Sequence, residues 1–488
     1  MNKFKESYLH FLVPFFFVLH GSVENYASAK IGDVAWLLLR ITITATVLEY
    51  LFRLYFRHQN KAAFYVFLLI SYYLFFGVFH DAAKSIAGNT FLVKYVFILP
   101  FTVIFFVTAA IFIKRSKSEF SKIIQYLNLL FIIFAIIEIV NLFGAASREL
   151  EAVPLDMGLQ KCDSCSKPDV YLIVADEYAG IRQLKEEFGF DNTPFVNELK
   201  KRGFYILPEP RSNYNFTPFS IASMLRMDYL TNIEGRNRSR SDMNTCFDLI
   251  NRNPVWNFFT SHDYEIHNNS IFHVNDIPTN NPQNLILMGT KLINSQTFLS
   301  RFNRDIRFNL VTKFKIKSEI KRITYYQQES NERIIENLAL IAKSESNRPK
   351  LVYTHLLMPH YPYYFDRNGN PMPLDFLLKE ENNHNREAYI EYLHYSNKKF
   401  LEMIDLIISN SKQPPLVIFM SDHGFREYSK GYDPSYHFMN FNSVLLPNRD
   451  YSGFYEGMTN VNQFRTILNS QFGQKMSMLK DSMSLLVD

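Results

Sequence analysis

The first third of the chain alternates long apolar runs with short polar gaps, and the rest of the chain does not. The apolar runs cover residues 8–21, 34–56, 63–79, 95–113 and 124–143. Most of them approach the ~20 residues that a helix needs to cross the hydrocarbon core of a bilayer. The pattern predicts an N-terminal α-helical transmembrane domain of about five helices over residues 1–147, and it disfavours a buried, soluble all-helical core.

The first run is shorter than the others and permits a second interpretation. Lys3 and Lys5 precede it, and the small residues Ala27, Ser28 and Ala29 follow it. A basic start, a short apolar stretch and small residues are also typical of a secretory signal peptide. We favour a spanning helix, and both interpretations predict the same orientation for the rest of the chain.

Basic residues alternate between the gaps and predict how the helices are oriented. The second and fourth gaps contain Arg53, Arg57, Lys61, Lys114, Arg115, Lys117 and Lys122. The first and third gaps have a weaker basic content. Because positively charged loops tend to stay in the cytoplasm, the N-terminus is predicted to be inside and everything after Gly144 outside.

After a linker over residues 148–167, short apolar strands alternate with amphipathic helices. Strand patterns lie at residues 168–175, 204–207, 264–267, 350–357, 417–420 and 443–446, and long helical patterns lie at 329–343 and 386–409. Such alternation is typical of an α/β domain whose mostly parallel sheet is covered by helices on both faces. We predict this domain over residues 168–488.

The linker contains Cys162 and Cys165 at Cys-x-x-Cys spacing. Cysteines at this spacing can bind metal, exchange electrons or form a small disulfide. The chain has 3 cysteines, of which Cys246 is the third, so it cannot form a four-cysteine zinc site. An extracytoplasmic compartment is oxidising, and this favours a local disulfide.

Two of the apolar strand patterns end in residues that can bind a cation. Residues 170–175 are followed by Asp176, and residues 416–420 run into Ser421-Asp422-His423-Gly424. The carboxyl ends of parallel strands meet at one edge of a sheet, where open α/β folds have their sites. A carboxylate oxygen beside an imidazole nitrogen is a usable pair of metal ligands. The two strand ends therefore predict one metal site if the strands are neighbours.

A third candidate is Thr217, which is followed by Pro218 and an apolar stretch. Threonine followed by proline is typical of the start of a helix. The exposed amides and the dipole of a helix N-terminus stabilise an anion, which suits a hydroxyl that attacks a phosphate ester. An ordinary capping role for Thr217 is the alternative.

These motifs occur in an order that resembles the alkaline phosphatase/sulfatase superfamily. They are the strand before Asp176, the helix start at Thr217, His360 in Thr-His-Leu-Leu-Met-Pro-His-Tyr-Pro, and Ser421-Asp422-His423-Gly424. The chain resembles its membrane-anchored bacterial branch, which includes lipoteichoic acid synthases and lipid A phosphoethanolamine transferases. The resemblance covers the whole chain in architecture and residues 168–473 in motif order. It implies a multi-pass protein of the bacterial inner membrane with an extracytoplasmic, alkaline-phosphatase-like catalytic domain.

The resemblance also implies a bound divalent metal. Its ligands would be Asp176, Thr217, Asp422 and His423. Three oxygens and one nitrogen suit zinc or manganese. The first acidic ligand of the superfamily is often glutamate, so Glu177 is an alternative to Asp176, which we prefer because it directly follows the apolar run.

The function that the resemblance implies is transfer of a phosphoryl headgroup from a phospholipid donor to a glycan or lipid acceptor at the cell surface. Thr217 would be the nucleophile, His360 a histidine on the substrate side, and His437 a second histidine that contacts phosphate. The net charge of +5 is small for 488 residues and gives no reason to expect nucleic acid as a partner.

Two other functions stay open from the residues. A hydrolase would use water as the acceptor, as phosphodiesterases and sulfatases do. Sulfatases of the superfamily need Cys or Ser in a Cys/Ser-x-Pro-x-Arg setting, whereas Thr217-Pro218-Phe219-Ser220 has threonine and no arginine. A membrane protein that uses the fold only for binding is the third possibility, and the presence of Thr217, Asp422 and His423 disfavours it.

The predicted orientation can be tested with reporter fusions. A reporter fused after Gly144 is expected to be active outside the cytoplasm, and one fused after Lys117 is expected to be active inside, because the basic gaps alternate. Alkaline phosphatase and green fluorescent protein activities provide the two readouts. Cytoplasmic activity of the Gly144 fusion would contradict both the topology and a lipid donor.

Overall fold

A computed structural model describes residues 7–26, 29–88, 90–152, 157–231, 240–279, 289–427 and 432–487. Lys3, Lys5, Ala27 and Ser28, on which the signal-peptide interpretation depends, and residues 153–156 of the predicted linker lie outside the described residues. The chain divides into two compact units. One contains Met1–Ala152 and Leu287–Ile320, and the other contains Val153–Ile286 and Lys321–Asp488. The domain limits given above remain predictions.

The described helices and strands follow each other along the whole chain. In chain order the helices are α1 Leu9–Glu24, α2 Ile31–Phe56, α3 Gln59–Ala87, α4 Tyr95–Arg115, α5 Ser121–Ala152, α6 Ile181–Phe188, α7 Thr193–Lys201, α8 Thr217–Arg226, α9 Arg240–Asn251, α10 Pro254–Ser261, α11 Thr290–Asn294, α12 Phe298–Phe302, α13 Phe308–Lys313, α14 Lys317–Thr324, α15 Tyr326–Lys343, α16 Leu374–Leu377, α17 Arg386–Asn410 and α18 Gln463–Phe472. The strands are β1 Val170–Ala175, β2 Tyr205–Ile206, β3 Glu265–Asn269, β4 Lys350–Leu356, β5 Leu416–Ser421 and β6 Asn442–Leu445.

The N-terminal helices have the length and surface expected of helices in a lipid bilayer. By length and composition, α2, α3, α4 and the part of α5 up to Gly144 are long and apolar enough to cross a membrane, whereas α1 has 16 residues. Only 11% of the most apolar windows of α2 and α4 is buried. Exposed side chains such as Trp36, Val103 and Ile104 therefore require an apolar surrounding.

The returning segment, which we define as residues 289–320, packs on these helices within the first unit. The Gly77 amide donates a hydrogen bond to the Gln296 carbonyl over 2.7 Å, and the Phe298 ring lies 5.0 Å from that of Phe76. Arg301 is only 5% exposed, and its guanidinium donates to Asp81 and, over 2.7 Å, to Gln296 Oε1. A stretch far along the chain thus completes the N-terminal unit.

The second unit is built on one sheet of mostly parallel strands, as predicted. The strand order is β2-β6-β5-β1-β4-β3. The four strands β5, β1, β4 and β3 are parallel, while β6 is antiparallel to β5 and β2 is antiparallel to β6. All six strands coincide, within a few residues, with the apolar patterns in the sequence.

Both faces of this sheet are buried, which explains why its central strands are almost continuously apolar. Val170, Leu172 and Val174 of β1 pack in one core, and Tyr171 and Ile173 pack in the other. Successive side chains of a strand point to opposite faces, so burial on both faces excludes the polar alternation of a half-exposed strand. The sheet is therefore a rigid support for the residues that follow its strand ends.

The linker cysteines form the local disulfide that the sequence analysis favours. Cys162 and Cys165 are joined to each other, and Cys246 is a buried free cysteine. Burial raises the pKa of the Cys246 thiol well above its usual value. The cysteines therefore contribute to structure.

We predict that Arg301 holds the returning segment in place. Arg301→Ala removes a buried guanidinium with charge-assisted hydrogen bonds and leaves Asp81 and Gln296 without them. Because Asp81 is partly solvated, we expect a loss of about 1–3 kcal/mol of local stability. Arg304→Ala, which removes an exposed arginine three residues later, is the control. Chymotrypsin should cleave the full chain after Phe298 faster in the Arg301 variant alone, and equal cleavage rates in both variants would contradict the prediction.

Candidate active site

The register of two neighbouring strands brings the predicted acidic residues together. Ala175 at the end of β1 is the register partner of Ser421 at the end of β5. The next residue of each strand is therefore a carboxylate, Asp176 or Asp422, at the same edge of the sheet. One ligand atom from each of Asp176, Asp422 and His423 lies within 4.8 Å of the others, and all three residues are buried.

The turn after β5 is shaped by close backbone contacts. The Gly424 amide donates to the His437 carbonyl over 2.9 Å, and the Ser220 hydroxyl donates to the Asp422 carbonyl over 2.6 Å. A Cβ atom on Gly424 would lie 2.3 Å from the Tyr436 carbonyl oxygen, so no other residue fits here without a backbone shift. Glycine in this motif is thus required by packing, and the turn ties the end of β5 to helix α8.

The hydrogen bond of one ring nitrogen defines the state of the His423 imidazole. Nδ1 lies 2.8 Å from the Gly424 carbonyl oxygen, which can only accept, so Nδ1 is the donor. Burial lowers the pKa of His423, although Asp422 opposes this effect, and a low pKa favours the neutral ring. Nε2 then has a free lone pair and lies 3.2 Å from Asp422 Oδ2. This is the tautomer that a metal-binding histidine needs.

Thr217 joins the same cluster through its side chain. The helix α8 begins at Thr217 itself, and Phe216 occupies the cap position with an extended backbone. Among the described residues no side chain caps this helix, so the structure does not support the capping alternative for Thr217. Its Oγ1 instead lies 3.4 Å from His423 Nε2.

Glu177 points away from the three clustered ligand groups, toward His360. Its amide donates to Asp422 Oδ1 over 3.0 Å, and its Oε1 accepts from the Arg426 amide over 3.0 Å. Its Oε2 lies 3.7 Å from His360 Nε2. Asp176, not Glu177, belongs to the group of clustered ligand atoms, which favours Asp176 as the first acidic ligand.

Burial and neighbouring charges shift the pKa values at this edge in opposite directions. Burial raises the pKa of Asp176, but His360, His355 and His423 outweigh it and leave this pKa below the usual value. Burial raises the pKa of Glu177 to about 7, against the opposing effect of His360. For His360, burial lowers the pKa, whereas Asp176 and Glu177 raise it above the usual value. The charges at this edge thus favour the anionic form of Asp176 and the protonated form of His360.

His437 lies close to the cluster but in a different electrostatic environment. It is only 7% exposed, and its ring stacks on Tyr432 with 4.9 Å between centroids. Burial, followed by the charges of His423 and Arg426, lowers the pKa of His437 to about 4. A neutral His437 can donate or accept a hydrogen bond without adding charge.

Two residues beside the site were not identified from the sequence. His355 on β4 is buried, and its Nε2 faces Asp176 Oδ2 at 3.6 Å while its Nδ1 lies 3.0 Å from the Tyr353 hydroxyl. The register that pairs His355 with Val174 of β1 explains this approach. Arg426 follows Gly424 by two residues and contacts the backbone before Thr217. The position of His355 within an apolar strand pattern was the signal that could have identified it. For Arg426 the sequence contains no local signal.

The buried polar atoms of the cluster fit a divalent cation. In the part of the chain that the structure describes, Asp176 Oδ1 and Asp422 Oδ2 are buried and have no hydrogen-bond partner. Unpaired buried carboxylate oxygens are costly unless a cation or a donor meets them. Two carboxylates and the lone pair of a neutral imidazole are suitable donors for such an ion. Residues Asp176, Asp422 and His423 would hold it, with Thr217 beside them.

A protein-family comparison identifies the second unit. The sulfatase family model matches residues 218–464, just over half of the chain. The matched stretch includes His360, Asp422, His423 and His437, and it begins one residue after Thr217. The chain belongs to the sulfatase family. It is therefore an enzyme of the alkaline phosphatase/sulfatase superfamily, as the motif order predicts.

Solved structures similar to this sulfatase-family chain include periplasmic or soluble domains of three bacterial proteins, two of them named as phosphoethanolamine transferases. The C-terminal periplasmic domain of EcEptC from Escherichia coli matches with 13% identity and a TM-score of 0.40, covering 64% of this chain and 84% of that chain. The C-terminal periplasmic domain of phosphoethanolamine transferase EptC from Campylobacter jejuni matches with 15% identity and a TM-score of 0.35, covering 65% and 92%. The soluble domain of lipooligosaccharide phosphoethanolamine transferase A from Neisseria meningitidis matches with 14% identity and a TM-score of 0.37, covering 64% and 90%. No curated protein sequence gives a significant match.

We predict that the full chain of this sulfatase-family protein binds about one divalent ion at Asp176, Asp422 and His423. Asp422→Asn or His423→Ala should weaken zinc or manganese binding about 10-fold or more, because the first replaces a charged carboxylate with a neutral amide and the second removes the imidazole. Metal content by plasma mass spectrometry and competition with a chromophoric chelator measure the effect. Asp366→Asn changes an exposed turn residue that accepts from the Asn370 amide, and it should leave binding unchanged. Full occupancy in both site variants would show that the turn has only a structural role.

Proposed function

We propose that the chain transfers a phosphoryl headgroup from a phospholipid to an acceptor at the cell surface, with Thr217 as the nucleophile. The observation that carries the proposal is the position of the Thr217 hydroxyl. It lies at the start of α8, 3.4 Å from His423 Nε2 and therefore beside the buried Asp176, Asp422 and His423 cluster. A hydroxyl at a helix start next to cation ligands has the surroundings that nucleophilic catalysis on a phosphate ester requires.

In the first half of the reaction, the Thr217 oxygen bonds to phosphorus while the bond from phosphorus to the diacylglycerol oxygen breaks. The Thr217 proton is released to solvent, and the leaving oxygen gains a proton. His360 is our candidate donor, because nearby carboxylates favour its protonated form and its side chain is 22% exposed. The result is a phosphothreonine ester that keeps the headgroup.

In the second half, a hydroxyl of the acceptor bonds to phosphorus and the bond to the Thr217 oxygen breaks. His360, now neutral, takes the proton of the acceptor hydroxyl, and Thr217 regains a proton from solvent. Neutral His437 contacts a phosphoryl oxygen in both halves. His360 thus alternates between acid and base, as the reversal of leaving group and nucleophile requires.

The expected metal is a divalent ion, zinc or manganese, held by Asp176, Asp422, His423 and the Thr217 oxygen. When bound, such an ion lowers the pKa of the threonine hydroxyl and offsets phosphoryl charge. The protein itself orients the ligand groups. His423 is held in the ligand tautomer by the Gly424 carbonyl, and Asp422 is fixed by the Glu177 amide.

The membrane unit supports a donor that comes from the bilayer. Helices long enough to span a membrane precede the catalytic unit, and the basic gaps predict that this unit lies outside the cytoplasm. We therefore infer a multi-pass protein of the bacterial inner membrane. Its donor is a phospholipid, and its acceptor is a glycan or lipid of the cell surface.

We expect Thr217→Ala to abolish transfer and to prevent any adduct on residue 217, because the nucleophilic oxygen is lost. Thr217→Ser keeps that oxygen and should retain part of the activity. Thr193, which opens α7 before Pro194 in the same way, provides a matched control. Thr193→Ala should transfer at the wild-type rate, since any loss at a helix start is only about 1 kcal/mol of stability.

The measurement is mass spectrometry of the detergent-solubilised full chain after incubation with phospholipids. A headgroup phosphate ester should appear on Thr217 in the wild type and in Thr193→Ala. An adduct that passes only to water, with no product on an added glycan or lipid acceptor, would identify a hydrolase. Turnover at the wild-type rate in Thr217→Ala would refute the covalent mechanism.

A further inference from the structure

The segment that contains the proposed nucleophile has no cationic side chain of its own. Between Ser212 and Leu225 the sequence contains no lysine or arginine. Among the histidines at this edge, His423 faces Asp422 and Thr217, and His360 lies 3.7 Å from the Glu177 carboxylate. A phosphate ester brings negative charge to this helix start, so an arginine or lysine that offsets this charge has to come from another part of the fold.

Arg426 reaches the helix start from the loop after β5. Its Nη1 donates to the Asn215 carbonyl over 3.2 Å, and its guanidinium carbon lies 4.4 Å from the centroid of the Phe216 ring. Both of these residues directly precede Thr217. The Arg426 amide is in turn fixed by Glu177 Oε1 over 3.0 Å. Glu177 thus fixes the backbone of Arg426, and the two residues before the nucleophile contact its guanidinium.

The donors of this guanidinium are largely unused. Among the residues that the structure describes, no carboxylate forms an ion pair with Arg426, and its Nε is buried without a hydrogen-bond partner. A guanidinium has five N–H donors in a planar fork, of which the contact with Asn215 uses one. A half-buried arginine with unused N–H donors is available for a planar, two-oxygen contact with a phosphoryl group.

We propose that Arg426 binds the non-bridging oxygens of the phosphoryl group that Thr217 attacks. The ligand class is a phosphate oxyanion, either the phosphodiester of a lipid headgroup or free phosphate. The proposal rests on the proposed function for this choice of ligand and for the role of Thr217 as nucleophile. Arg426 then supplies a permanently charged side chain, which the segment from Ser212 to Leu225 lacks.

A purely structural role is the competing explanation. In that case Arg426 only stabilises the backbone at Asn215 and Phe216, and its unpaired Nε donor binds no ligand. The two explanations differ in their effect on anion affinity. If the role of Arg426 is structural, substituting it should alter the stability of the chain and leave its affinity for phosphate unchanged. If Arg426 binds phosphate, the substitution should weaken that affinity while the metal stays bound.

The test measures binding of inorganic phosphate to the detergent-solubilised full chain by isothermal titration calorimetry. A Thr217→Ala background removes any covalent step. Arg426→Gln, added to that background, should weaken phosphate binding about 10- to 100-fold, because charge-assisted hydrogen bonds are lost. Arg426→Lys keeps a charge without the fork and should lose less affinity. Arg348→Gln, at an exposed arginine, is the control and should bind phosphate normally.

A second arm separates the two sources of the ligand. Short-chain phosphatidylethanolamine and free phosphoethanolamine compete separately with inorganic phosphate. Competition by the lipid that weakens in Arg426→Gln supports the headgroup, and competition by the free ester alone supports soluble phosphate. Wild-type phosphate affinity in Arg426→Gln, with metal content and melting temperature unchanged, would overturn the proposal.

If the Arg426 variants do not fold, chemical modification of Arg426 in the unmutated chain tests the same proposal. Phenylglyoxal should modify Arg426 in the full chain more slowly when inorganic phosphate is present, as quantified by peptide mass spectrometry. Equal modification rates with and without phosphate would overturn the proposal. Failure of the proposed function would appear differently, as a missing adduct on wild-type Thr217 while phosphate binding still depends on Arg426.

Discussion

The site depends on one constraint, the burial of two carboxylates at the ends of adjacent strands. The register of β1 and β5 places Asp176 and Asp422 side by side, and both are buried. Like charges in a poorly solvated site repel each other strongly, so the surrounding groups must compensate. The Glu177 amide, the imidazoles of His355 and His360, and a cation can provide this compensation.

Much of the second unit could be predicted because its signals are local. Apolar stretches of strand length marked all six strands, and the residues after the two central strands proved to be neighbours. The start of α8 was also predicted, but the role of its threonine was not decided by sequence. Thr193 and Thr217 both precede proline and both begin a helix, and only Thr217 faces His423.

What could not be predicted depends on contacts between distant parts of the chain. His355 approaches Asp176 because β4 lies beside β1, and strand order cannot be deduced from apolar patterns. Glu177 and Asp176 are adjacent in sequence, yet a positive φ of 59° at Glu177 turns it toward His360. The packing of the returning segment, residues 289–320, on the N-terminal helices could likewise not be predicted from the sequence. The short helices there resemble those of any α/β domain.

That returning segment has a practical consequence for obtaining the catalytic unit by itself. The chain changes unit after Ala152, after Ile286 and after Ile320, so no single cut separates the two parts. A fragment that begins at residue 153 would retain Ile293, Phe298 and Arg301 without the helices that cover them. Such an uncovered apolar surface favours aggregation or detergent binding. A soluble, secreted form of the enzyme therefore requires deletion of the returning segment as well as of the N-terminal helices.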